Sequence, residues 1–221
     1  DELERCLPLA GQRAMAGYLE FFGLLRGLAQ TERYRGILSS VVVAANAAIS
    51  EKAYWEGREN PVFSLYKPLF VPLLSKPDTA QMIQRLGRGM SVYWEQPAID
   101  AVYQECAGHP FLTRMLCSQI TQRHQKRPLQ VSDRMVATEI PIFIQDKSDK
   151  FEQIVELLHS HFPQEEGVLE QLALNQDLGN VQDDSVRHLL GYQLIKRTPD
   201  GFEMSLRALT SWLRNRAGYP S

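Results

Sequence analysis

Two carboxylates head the chain, Asp1 followed at once by Glu2. An Asp at a strand end can hold Mg²⁺ through water, and a Glu beside it can polarise an attacking water. Two solvated acids at a chain start fit the same letters. Asn46 is the first strongly polar residue after a long apolar run. At the carboxyl edge of an open α/β sheet that position faces ligand, and it equally suits an Asn that opens a turn. Arg58 shares a loop with Trp55 and Asn60-Pro61, where a guanidinium can stabilise a transferring phosphoryl group or meet solvent. Gly108-His109-Pro110 joins two expected helices: Gly lets one end tightly and Pro starts the next at no hydrogen-bond cost. Arg114 lies one turn later, with Arg123 and Arg127 as further cations.

These residues need elements to hold them. Met15, Tyr18, Leu19, Phe22, Leu25 and Leu28 recur at three- and four-residue steps, which predicts an amphipathic helix between Arg13 and Arg33. The β-branched run Ile37 to Ala45 predicts a strand buried on both faces of a parallel sheet. Leu69 to Leu74, punctuated by Pro68 and Pro72, suits a sheet edge. From Asp78, a candidate N-cap, four helices are expected, the second and third opening at Pro97 and Pro110 and the fourth ending before Pro141. The charged stretch 146–150 has the composition of a linker. Beyond it, helices are expected at Phe151–His161 and Gly167–Leu174, and a third capped by Asp183-Asp184. Thr198-Pro199-Asp200-Gly201 is turn chemistry between two short strands, and a helix with Leu206, Leu209, Trp212 and Leu213 closes the chain. Three helices, a hairpin and a closing helix make a winged-helix arrangement.

With 221 residues, 44% apolar and 23% charged, the composition excludes a disordered or fibrous chain. A formal charge of −2 gives no global pull toward nucleic acid or an anionic membrane. The run Val41 to Ile49 is too short to span a bilayer, so no membrane partner is expected. Three cysteines (Cys6, Cys106, Cys117) without a CxxC pair argue against a disulfide framework or a cysteine zinc site and make a reducing cytoplasm the default. His159-x-His161 has no completing carboxylate or cysteine and suits an exposed helix end. No nucleophile-elbow context supports a hydrolase triad. The opening Asp1-Glu2-Leu3-Glu4-Arg5 carries neither Met nor a leader, as expected of a fragment.

In order, the features are an acidic pair, helix, apolar strand ending in Asn, proline-flanked strand, helical bundle and winged helix. That order resembles the C-terminal two-thirds of a STAND-type ATPase, a signalling branch of the AAA-like P-loop fold. The resemblance implies an α/β remnant of a P-loop NTPase core at residues 1–75, an all-α helical lid at 76–145 and a winged-helix domain at 146–221. It implies ATP or ADP with Mg²⁺ as cofactors. Asp1 and Glu2 then end the Walker B strand, with Asp1 on Mg²⁺ through water and Glu2 on the attacking water. Asn46 is the sensor-1 candidate, and Arg58 the arginine that can reach a phosphate of its own or a neighbouring subunit. His109 and Pro110 lie against base and sugar, and Arg114 is the sensor-2 candidate. The Met-His-Asp motif of many relatives is replaced by Met204-Ser205-Leu206, without the histidine.

The expected function is an ATP-binding, hydrolysing conformational switch of signalling, defence or regulatory type, with protein partners or self-association. The phosphate-cradling GxxxxGK[ST] loop is not among these residues. It is expected within the roughly 100 residues that would complete such a core before Asp1. One alternative is an initiator-like AAA protein whose winged helix binds duplex DNA. It is disfavoured by seven Lys/Arg against ten Asp/Glu from Lys150 to Ser221. The other is a non-catalytic protein-interaction scaffold.

Overall fold

The computed structural model describes Leu3 and residues 15–34, 37–55, 57–179 and 181–219. The fold is mostly helical, with three two-stranded sheets among the described residues. The chain divides into two compact units, the first ending at Leu69 and the second beginning at Phe70.

In the first unit the amphipathic pattern forms α1 (Met15–Gln30). Tyr18 and Phe22, one turn apart on its inner face, have ring centroids 4.8 Å apart. They pack with Leu3, Ile49 and Val62 into a small buried cluster. A four-residue helix, α2 (Ala48–Glu51), and the hairpin β1 (Tyr54–Trp55) and β2 (Arg58–Glu59) complete the unit. The buried strand expected from Ile37 to Ala45 is not formed. Ile37 is 78% and Val41 90% exposed, and only Val42 packs against the cluster. A strand exists only as a member of a ladder, and among the described residues no strand pairs with this run: Ile37 and Leu38 donate locally to the Tyr34 carbonyl, and Leu3 N–H donates to Val43 C=O at 3.1 Å.

The second unit starts with α3 (Lys76–Arg88). Its N-cap is Ser75, not Asp78: the Ser75 Oγ accepts the Asp78 amide and donates to the Asp78 carboxylate at 2.5 Å. Next come β3 (Val92–Trp94), α4 (Gln96–Cys106), α5 (Pro110–Arg123), β4 (Leu129–Val131) and α6 (Asp133–Asp146). β3 and β4 pair in parallel, Val92 with Leu129 and Trp94 with Val131. Three-residue strands are too short to show a period, and the sequence pattern misses both. α6 runs through Pro141. A proline inside a helix forfeits one backbone bond, here offset by Phe143 and Ile144, both buried just beyond it.

α6 is followed after Lys147 alone by α7 (Ser148–His161), so the charged stretch is a tight helix junction instead of a linker. Then come α8 (Pro163–Ala173), a 3-10 turn at Asp183–Val186, α9 (Arg187–Gly191), the antiparallel hairpin β5 (Ile195–Thr198) and β6 (Gly201–Met204), and α10 (Arg207–Arg216). The hairpin turns where the Pro-Asp pair predicts. One apolar core extends from Ile83 to Leu213 without interruption at 145/146. Phe143 meets Phe151 edge-on at 6.1 Å, Phe151 stacks on Trp212 at 6.0 Å, and the Trp212 indole N–H donates to the Ser148 hydroxyl at 2.8 Å.

Because Phe151 is fully buried at this junction, Phe151→Ala is expected to cost about 3–5 kcal/mol. It should lower one cooperative urea transition monitored across the whole second unit. Two separated transitions, only one of them shifted, would contradict a shared core.

Candidate functional site

Three of the second-unit residues singled out in the sequence, His109, Pro110 and Arg114, lie at the α4–α5 corner. α4 closes on Ala107 at φ +48°, and Gly108 follows at φ +77°. A Cβ on Gly108 would lie 2.0 Å from the Leu74 carbonyl oxygen, so this position admits only glycine. The Leu74 amide in turn donates to the Gly108 carbonyl, 3.0 Å. His109 is the N-cap of α5: its Nδ1 accepts the Leu112 amide at a long 3.5 Å, and its carbonyl accepts the Thr113 amide at 2.9 Å. Burial holds the His109 imidazole below its ordinary pKa. Pro110 is exposed at the first helical position, and Arg114 lies one turn on, also exposed. Thr79 is wholly buried, and its Oγ1, 3.1 Å from where a Gly108 Cβ would be, has no hydrogen-bond partner among the described residues.

The three candidate cations have different commitments. Arg123 pairs with Glu139 at 3.4 Å and Asp146 at 3.7 Å. Glu139 is itself buried and accepts from Gln119 Nε2 at 3.3 Å. Arg127 donates to the carbonyls of Met90, Thr121, His124 and Lys126, tying down the end of α5. Arg114 makes neither a hydrogen bond nor an ion pair among the described residues.

The first unit carries Asn46 and Arg58. Asn46 is buried, and its Oδ1 accepts the Ala48 amide at 3.0 Å, opening the turn into α2. Arg58 is exposed on β2. Asn60, two residues after Arg58, is the local organiser. Wholly buried, it donates to the Ile49 and Lys52 carbonyls, both at 2.7 Å, and accepts the Val62 amide at 3.0 Å. Its signal in the sequence is the Asn-Pro dipeptide. Asp1 and Glu2 lie outside the described residues.

A second polar cluster was not legible in the sequence. Glu165, in the first turn of α8, is buried and accepts from the amides of His188 and Leu189, both at 3.0 Å, and meets His188 Nδ1 at 2.5 Å. One carboxylate thus satisfies the starting amides of α9. The His188 ring stacks on Phe162, centroids 3.6 Å apart. His159, by contrast, is an exposed residue whose Nδ1 meets Glu166 at 2.9 Å, which raises its pKa. The thiol of Cys106 is pushed up to about 12 and that of Cys117 is also raised, both chiefly by burial, consistent with packing residues.

No family model and no curated protein matches the chain. No helix among the described residues is long and apolar enough to cross a membrane.

Two outcomes follow from this geometry. A lowered His109 pKa means the unfolded chain takes up the proton first. Its stabilising effect is therefore complete above about pH 6.5 and is lost as pH falls toward the depressed folded value. His109→Ser replaces the capping imidazole nitrogen with a capping hydroxyl that does not titrate, so the stability difference between variant and parent should move in the variant's favour from pH 7.5 to 5.5. A difference that does not change with pH would refute this. Glu165→Gln places an NH₂ among three donors and should cost about 2–4 kcal/mol in chemical denaturation; a loss below about 0.5 kcal/mol would show that the carboxylate is not what holds α9.

Proposed function

We propose that this chain is the part of a STAND-type, AAA-like ATPase that runs from the end of the Walker B strand through the lid to a winged-helix arrangement from α7 to α10, acting as an ATP-driven conformational switch. The observation that carries the reading is Arg114. It is an exposed guanidinium without a partner among the described residues, one turn past a Gly-His-Pro corner, while Arg123 and Arg127 are held by carboxylates and carbonyls. A cation left unpaired at a helix start beside a rigid corner is suited to an anionic phosphate.

On this reading His109 and Pro110 lie against base and sugar, and Arg114 reaches the phosphates. The same reading gives Asn46 the sensor-1 role, Arg58 that of the phosphate-reaching arginine, Asp1 that of holding Mg²⁺ through water and Glu2 that of orienting the attacking water. ATP supplies the phosphoanhydride whose cleavage changes the charge facing Arg114. The DNA-reading alternative has less behind it, because α9 keeps His188 and Leu189 buried instead of offering them to a groove.

The test has two parts. Calorimetry of the 221-residue chain with ATP and Mg²⁺ should give no micromolar binding, because the phosphate-cradling loop is not in it. In the longer protein that this reading requires, Arg114→Ala should lower ATP turnover by about 10–100-fold at unchanged thermal midpoint. Glu2→Gln should abolish turnover. Wild-type turnover in both variants would leave the interaction scaffold as the better account.

A further inference from the structure

Residues 70–74 open the second unit without regular secondary structure, yet they are fastened at both ends. The Phe70 ring lies against the bare backbone of Gly191, where a Cβ would come within 2.7–2.8 Å of three ring atoms. It also meets the Tyr192 ring edge-on at 5.2 Å. The Leu73 amide donates to Gln193 Oε1 at 2.8 Å. Gln193 makes this reach from φ +55°, a left-handed conformation that costs a residue with a Cβ. At the other end, Leu74 exchanges close contacts with Gly108: its amide bonds the glycine carbonyl, and its own carbonyl fills the space a side chain would need. Between the fastenings, Val71 is 84% exposed and Pro72 is exposed as well. The segment is held by its ends and is not a piece of the core. Five residues reach ~17 Å at most, and Pro72 fixes one φ, so there is little slack.

We propose that residues 70–74 are a strap coupling the α4–α5 corner to the C-terminal end of α9, so that the two loosen together. A shift of the corner moves Leu74, which draws the Leu73 amide from Gln193 and Phe70 from Gly191. The opposite end of α9 is pinned to α8 by Glu165, so the helix turns about that carboxylate. The coupling stands on these contacts alone and does not depend on the nucleotide reading.

Amide hydrogen exchange on the 221-residue chain tests it. Gly191→Ala drives a methyl into the Phe70 ring and should speed exchange about tenfold at Leu74, His109 and Thr113, the far end of the strap, while α6 and α7 amides keep their protection. Gln193→Gly removes the acceptor for Leu73 but relieves the left-handed strain, so the thermal midpoint should hold while the same corner amides speed up. Unchanged corner exchange in the two variants overturns the proposal. So does a uniform rise from α3 to α10, which would mark lost global stability instead of coupling.

Discussion

Much of the second unit's geometry depends on one backbone-to-backbone contact. Gly108 approaches Leu74 so closely that a side chain cannot intervene, and the Leu74 amide closes the contact with a hydrogen bond. Three helix termini are set around it. Ser75, the next residue, caps α3; Ala107 ends α4 in the left-handed region; His109 caps α5. Direction at a helix start is decided by the few residues that precede it. The exposed positions of Pro110 and Arg114 therefore follow from a contact neither of them makes.

Around that corner, stability comes from an unbroken apolar core into which a few polar side chains are built with their partners. Glu139 is shared by Gln119 and Arg123, and Glu165 by His188 and two amides. In the first unit Asn60 serves three backbone groups. Leaving a buried polar group without a partner costs more than a made hydrogen bond returns, so these side chains are buried where partners from other elements meet them. Glu165 and His188 stand 23 residues apart and join α8 to α9.

The same accounting distinguishes cations that serve the fold from those open to a ligand. Arginines of one helix and its exit share charge and length, yet Arg123 and Arg127 are engaged by the protein while Arg114 is open. Composition cannot make this distinction, because it arises from which carboxylates and carbonyls lie within reach once α5 and α6 are packed.

Helix periods and turn chemistry were legible in the sequence: α1, α4, α5, α7, α10 and the Pro-Asp hairpin lie where apolar spacing, N-terminal prolines and the turn residues put them. These features are local, set by side chains within one turn of each other. The glycine at 108 was likewise marked by its place in a glycine–x–proline turn between two expected helices. Non-local facts were not legible. A β-branched run at 37–45 specifies a strand only if neighbours complete its ladder; β3 and β4 are too short to leave a pattern; and the charged 146–150 stretch proved a tight junction because Phe143, Phe151 and Trp212 pack across it. Which histidine is buried against a carboxylate, and which arginine stays open, was decided by tertiary packing alone, because burial and pairing are properties of residues distant in the chain brought together.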